Sequence, residues 1–161
     1  MVTKFWAVKK MQQNEVTAHV KEFLQKRGYK VVPQHKRWRP VDIFALKNLD
    51  KWFIEVEAES PKRKMLLQDV IIAVGEIVAE MHEIGPNIHY GIALSESLST
   101  QLAKFGTEGL KALNIHLFIV TDLGSVYHLS TRNTIEYIKR LREWGEGLPS
   151  TLSTDITNPL S

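Results

Sequence analysis

Between Arg39 and Ser60 the chain reads RPVDIFALKNLDKWFIEVEAES. Two short apolar runs, residues 41–46 and 52–58, flank a polar turn at residues 47–51. Runs of this length, rich in Val, Ile, Phe and Trp, predict strands, and so short a connection predicts a hairpin. Acids interrupt both runs, at Asp42, Glu55 and Glu57. Alternate strand residues point to one face, so Glu55 and Glu57 project together while Ile54, Val56 and Ala58 take the opposite, apolar face. With the neighbouring strand paired in register, Asp42 sits beside them. Three carboxylates so close repel by roughly a few kcal/mol per pair at intermediate dielectric. A divalent cation offsets that repulsion, and hard oxygen ligands suit Mg²⁺, with Mn²⁺ as substitute. Without a metal, one acid takes up a proton.

The surrounding pattern alternates helix and strand. Residues 14–27 predict a helix with Asn14 as N-cap, Glu15 in the first turn and Val16, Val20, Phe23 and Leu24 on one stripe; Gly28 stops it. A strand at 29–33 and a basic loop at 34–40 lead into the hairpin. Ser60-Pro61 breaks the chain, and a helix over 62–83 follows. Its expected apolar face is Leu67, Val70, Ile71, Val74, Ile77, Val78 and Met81, with Gly75 and Ala79 on another side. Further on come a strand at 88–94, a helix at 97–113 capped by Ser97 or Ser99, strands at 115–121 and 125–129, and a helix at 131–144 facing inward with Ile135, Ile138 and Leu141. This order predicts an α/β domain, a central mixed β-sheet flanked by helices, spanning 1–145. The remainder, 146–161, is rich in Gly, Pro, Ser and Thr and is expected to be a flexible tail.

The net charge of +3 is small, but its distribution is uneven. Basic residues cluster at Lys36-Arg37-Trp38-Arg39, at Lys62-Arg63-Lys64 and at Lys139-Arg140-Leu141-Arg142. Two of these runs flank the acidic hairpin. A basic rim around an acidic centre suits a polyanion held over a metal site, and Trp38 is placed to stack on a base or to cover the core edge. The chain has no cysteine, which excludes disulfides and thiolate metal sites. No run of eighteen apolar residues and no signal peptide is read, so the expectation is a cytoplasmic protein with no membrane partner. The six histidines form no H-x-H or H-x-x-x-H pair, so no zinc site is expected from spacing.

Taken together, Pro40-Val41-Asp42, twelve intervening residues, and Glu55-Val56-Glu57 resemble the PD-(D/E)XK nuclease superfamily, the restriction-endonuclease-like fold. The resemblance in element order covers residues 14–120. It implies a metal-dependent deoxyribonuclease, an endonuclease or resolvase-like phosphodiester hydrolase using Mg²⁺. Asp42, Glu55 and Glu57 are the implied catalytic residues. Asp42, Glu55 and the Val56 carbonyl are the implied metal ligands, with Glu15 completing the shell. Lys36, Arg37, Arg39, Lys62, Arg63 and Lys64 are expected to bind DNA, and Ser60 and Gln68 lie where they could reach a phosphate; Glu59 is expected to be exposed.

Two features depart from the family pattern. The proline stands two residues before Asp42, and Glu57 occupies the position where the family expects lysine. Glutamate can serve there as general base or metal ligand, but supplies no positive charge. Lys62 or Lys64 could substitute. The alternative is a catalytically inactive nuclease-fold module that binds nucleic acid or a partner protein. A third reading has the 67–81 helix face, with Gly75, pairing two copies as a homodimer. No separate target-recognition domain is read, which suits structure-directed cleavage or a subunit of a larger nucleoprotein complex.

Overall fold

The acidic hairpin sits inside a six-stranded sheet whose strands lie side by side in chain order. The computed structural model describes residues 11–33, 41–60, 66–145 and 147–148. Lys36, Arg37, Trp38, Arg39, Lys62, Arg63 and Lys64 fall outside the described residues, as does most of the 146–161 segment.

Strands β1 (Lys30–Val31), β2 (Ile43–Lys47) and β3 (Asp50–Glu57) pair antiparallel. β4 (Ile88–Ser95) and β5 (Ile115–Val120) extend the sheet in parallel, and β6 (Val126–Leu129) closes it antiparallel to β5. The result is an α/β fold around a mixed sheet. Helix α2 (Leu66–Ala79) carries the chain from β3 to β4. Helix α3 (Glu96–Ser99), a 3-10 turn (Thr100–Lys104) and α4 (Thr107–Leu113) carry it from β4 to β5. Both crossovers step the same way across the sheet, so the right-handed rule puts them on one face. Val70, Ala73, Ile77, Leu98, Leu102 and Leu110 accordingly share one core with Phe53, Ile92, Leu94 and Leu117. Helix α5 (Thr131–Trp144) joins that core through Tyr137, Ile138 and Leu141. Helix α1 (Gln13–Lys26) covers the other face, packing Val16, Val20, Phe23 and Leu24 on Ile43, Trp52, Ile54, Val56 and Phe118.

The hairpin turn is tighter than expected. Pairing continues to Lys47 opposite Asp50, leaving only Asn48 and Leu49 in the turn. Asn48 takes φ +53°, in the left-handed region asparagine tolerates, and Leu49 is pushed into solvent. Helix α1 begins one residue before the expected start; Gln12 is its N-cap and makes no side-chain cap bond, while Asn14 Oδ1 accepts from the Glu15 N–H at 2.9 Å.

Two helix expectations are corrected. Residues 97–113 are not one helix. The Ser99 and Thr100 hydroxyls donate back to the carbonyls of Glu96 and Ser97, at 2.6 and 2.8 Å, and the chain tightens into the 3-10 turn. Phe105 and Gly106 are then extended before α4 restarts, and the first piece is capped by Ser95 rather than Ser97 or Ser99. Helix α2 buries Val70 and Ile77 as expected, but its buried arc is rotated toward Asp69 and Ala73. Its inward residues are Asp69, Val70, Ala73 and Ile77, whereas Ile71, Ile72, Val78 and Gly75 are exposed. On α5, Thr134 and Tyr137 are buried with Ile138 and Leu141, and Ile135 is only half-buried. Gly147 and Leu148 pack beyond α5, Gly147 against the Tyr137 ring and Leu148 on the main core. Glu59, expected to be exposed, is half-buried.

Histidines distant in sequence meet on the α1 face. His116 and His128 are hydrogen-bonded between Nδ1 and Nε2 at 2.9 Å, and His89 stacks on Trp52 beside them. Burial holds His128 down to about 2 and His116 to about 4, so both are neutral in the folded protein. The unfolded chain takes up those protons near pH 6.5; the folded chain does not. Stability is therefore fully present above that pH and falls on acidification toward pH 4. Urea titrations at pH 7 and pH 5 should show that loss in the wild type and a smaller loss in His128→Gln.

Close approach sets a second local limit. A Cβ on Gly91 would stand 2.9 Å from the Phe118 ring, inside the densely packed α1 core. Gly91→Ala should destabilise the fold by about 1–3 kcal/mol. Thermal unfolding should show a melting temperature lower by several degrees.

Candidate metal and catalytic site

At the open end of the hairpin β3 outlasts its partner. β2 begins at Ile43, opposite Ile54, so the last residues of β3 have no paired strand residue on that edge. Continuing the register places Asp42 opposite Glu55. Val56 presents both its N–H and its carbonyl to the gap. The N–H donates to Asp42 Oδ2 at 2.8 Å. The carbonyl accepts from the Gln13 amide, at the start of α1, at 2.9 Å. Side chains thus replace the missing strand, as a buried backbone requires.

This edge opens into a cavity of about 240 Å³ lined by Gln13, Asp42, Glu55, Glu57, Glu76, Ala79 and Glu80. Asp42, Glu55 and Glu57 therefore share one cavity, as strand parity requires. Glu15 does not line it: it lies two positions beyond Gln13 on α1, which turns it roughly 200° around the helix. Gln68 is exposed and Ser60 half-buried, and neither lines the cavity. The third basic cluster is engaged on α5. Arg142 donates to the carbonyls of Ala103 and Phe105, and Lys139 pairs with Glu136 at 3.4 Å.

Sequence reasoning missed Gln13, Glu76 and Glu80. The two acids carried a usable signal: they sit four apart, one helical turn, in a segment otherwise reading AVGEIVAEM. Gln13 carried none, because its role depends on how α1 docks on β3.

The site concentrates negative charge. Glu55 is 7% exposed. Burial, a hydrogen bond with Asp42, and the charges of Asp42, Glu76 and Glu80 push its carboxyl up to about 9. It therefore holds a proton at neutral pH in the metal-free protein. The oxygens of Asp42 and Glu55, with the Val56 carbonyl beside them, are the donor set Mg²⁺ or Mn²⁺ prefers. A carbonyl has a second lone pair, so the Gln13 amide does not exhaust Val56. Among the described residues, no three His, Cys, Asp or Glu side chains stand close enough together to hold an ion. The donor chemistry fits a cation that keeps most of its waters and takes one or two carboxylates directly.

No protein-family profile matches the chain, and no curated protein matches it in sequence. Solved structures do. An XisH family protein from Nostoc punctiforme superposes with a TM-score of 0.52 at 14% identity, covering 70% of this chain and 95% of that one. An fdxN element excision controlling factor protein from Anabaena variabilis superposes with a TM-score of 0.53 at 13% identity, with the same coverages. The chain shares its fold with these proteins. At such identities the likeness extends to the fold and no further.

The buried acid has a thermodynamic signature. Folded Glu55 keeps its proton up to about pH 9, whereas the unfolded side chain releases it near 4.5. The folded state thus binds more protons in that window, and its contribution to stability declines as pH rises from 4.5 to 9. Glu55→Gln removes this term. In chelator-treated protein the variant should melt higher than wild type at pH 8, with the difference shrinking toward pH 5.

Proposed function

We propose that this chain is a metal-dependent nuclease acting on DNA. The supporting observation is the carboxylate-lined cavity at the open end of the β2–β3 hairpin, where Asp42, Glu55 and the Val56 backbone converge. That placement agrees with the resemblance of Asp42 and Glu55-Val56-Glu57 to the PD-(D/E)XK pattern. The excision-control name of one structural neighbour is in keeping with a nucleic-acid context.

A bound Mg²⁺ lowers the pKa of its water and neutralises charge developing on the phosphate. Asp42 and Glu55 would hold such a cation, Glu55 in its deprotonated form. Val56 offers its carbonyl, held in place by the Gln13 amide. Hydrolysis adds water to phosphorus and breaks the bond to the 3′ oxygen. Glu57, half-buried on the same cavity, would serve as general base toward the attacking water or as a further ligand. The basic residues 36–39 and 62–64 flank the hairpin and its following helix in sequence, and hold the phosphate backbone on this reading.

One observation favours a second reading. The cavity is lined by Glu57 where the family pattern expects lysine, and among the described residues no Lys or Arg lines it. A non-catalytic module that binds nucleic acid or a partner protein is consistent with that.

The two separate on one assay. Plasmid, branched and single-stranded DNA incubated with Mg²⁺ or Mn²⁺ should be cut by the wild-type chain, and cutting should fall by at least about a hundredfold in Asp42→Ala and Glu55→Ala. Undiminished cutting by both variants removes the nuclease site from this cavity. DNA binding without cutting by the wild type selects the second reading.

A further inference from the structure

Helix α2 is apolar on the side that faces away from the sheet. Its buried residues are Asp69, Val70, Ala73 and Ile77. Gln68, Ile71, Ile72, Gly75, Val78 and Ala79 are exposed and recur at three and four, so they form a second stripe, about 120° wide, opposite the first. Eight large apolar side chains are exposed among the described residues. Leu49, Ile84, Leu113, Leu123 and Trp144 stand singly on turns, loops and helix ends, which is ordinary for a surface. Ile71, Ile72 and Val78 instead share one face of one helix. Gly75 lies at the middle of that face. Glycine inside a helix costs stability relative to alanine, and close approach of another backbone is what calls for it. Among the described residues nothing approaches: a Cβ at Gly75 would meet no atom within 4 Å. Packing within one copy therefore gives no reason for the glycine.

We infer that this face of α2 docks on the same face of a second copy, the two helices antiparallel and crossing at Gly75. Charge selects the occupant. No residue of the stripe is ionisable, so the face offers no cation to a nucleic-acid backbone and no charge for a charged protein surface to pair. A two-fold contact sets one patch against its own copy, and an uncharged patch meets itself without repulsion. The spacing is self-complementary too. Pivoting on Gly75 sets Ile71 against Ala79 and Ile72 against Val78, larger on smaller, whereas a parallel pair would set Ile71 on Ile71. Glu76, at the edge of the stripe, meets Val74 of the second copy and no like charge. The absent Cβ lets the backbones approach at the crossing, and antiparallel axes bring opposite helix poles together. Ala79 also lines the acidic cavity, so Ile71 of the second copy joins the rim of that cavity in each protomer. A contact through one helix of 14 residues is smaller than the roughly 1,200–2,000 Å² of stable interfaces, so the dimer is weak, with a Kd of about 1–100 µM. It forms whether or not the cavity holds a cation.

The test is sedimentation equilibrium of the full chain from about 1 µM to about 1 mM, for wild type, Gly75→Leu, Ile72→Glu and Leu123→Glu, with melting temperatures at the lowest concentration. Wild type should pass from monomer to dimer across the series. Leu123→Glu, altered on an exposed turn away from α2, should follow it. Gly75→Leu fills the crossing point and Ile72→Glu buries a charge in an apolar contact, so each should weaken dimerisation at least about tenfold. Gly75→Leu should melt no lower than wild type at the lowest concentration, because leucine favours helix and has open space there. A wild type that stays monomeric throughout overturns the inference and leaves the face to a different protein. A dimer that Gly75→Leu and Ile72→Glu leave intact places the contact elsewhere and overturns it too. So does loss of dimerisation with a lower melting temperature in both variants, since the face then serves the monomer.

Discussion

The hydrogen bond from the Val56 N–H to Asp42 is the contact on which the site depends. Strand β3 is longer than β2, and its surplus end needs partners where no strand continues. A buried backbone donor left unmade costs about 1–3 kcal/mol. Asp42 removes that cost with a carboxylate, which fixes the carboxylate beside Glu55. Gln13 does the same for the carbonyl and pins the first turn of α1 to the same residue. One backbone unit thus organises an acid, an amide, a hairpin end and a helix start. Strand β3 is held there from both faces, by Trp52, Ile54 and Val56 under α1 and by Phe53 under α2.

The acids gathered around this point work against the metal-free fold. Glu55 stays buried there by keeping a proton. The histidine pair on the opposite face acts in the other direction, staying neutral where solution would protonate it. The histidines are stacked with Trp52 and Phe118 inside an apolar core and read as part of it. The acids open on solvent beside the sheet edge, where unfavourable charge is more often kept for binding than for stability.

Much of this was legible before the coordinates. Val16, Val20, Phe23 and Leu24 mark the buried stripe of α1, and the alternation from Trp52 to Glu57 assigns each side chain to its face. Those patterns are local, so periodicity reports them. Helix α2 defeated the same method because it is apolar nearly all round. With Ile71, Ile72, Val74, Ile77 and Val78 all available, spacing cannot choose which arc faces the sheet; docking chooses Val70, Ala73 and Ile77. Glu76 and Glu80 stayed hidden for that reason, since their aim depends on the same rotation. The break at Phe105-Gly106 was missed because Ser99 was read only as a candidate cap, whereas its hydroxyl and that of Thr100 compete for helix carbonyls. Among the acids, Asp42, Glu55 and Glu57 share the cavity by strand geometry alone. Glu15 was placed by its helix and not by its azimuth.

The strand order has a consequence for how the chain reaches this state. Each strand lies against the one made just before it, so no strand waits for a later one to be inserted between established neighbours. Assembly can proceed by accretion, with short closures at the β2–β3 and β5–β6 hairpins and longer helical crossovers at the parallel pairs. The two-residue turn at Asn48-Leu49 makes β2–β3 the cheapest pairing to close first. Newly made chain can therefore form the Asp42 edge early and leave it half-built until α2 arrives. Repulsion among the site's acids is met only at that docking step, so the last part of the cavity to assemble is also the part that opposes its own closure.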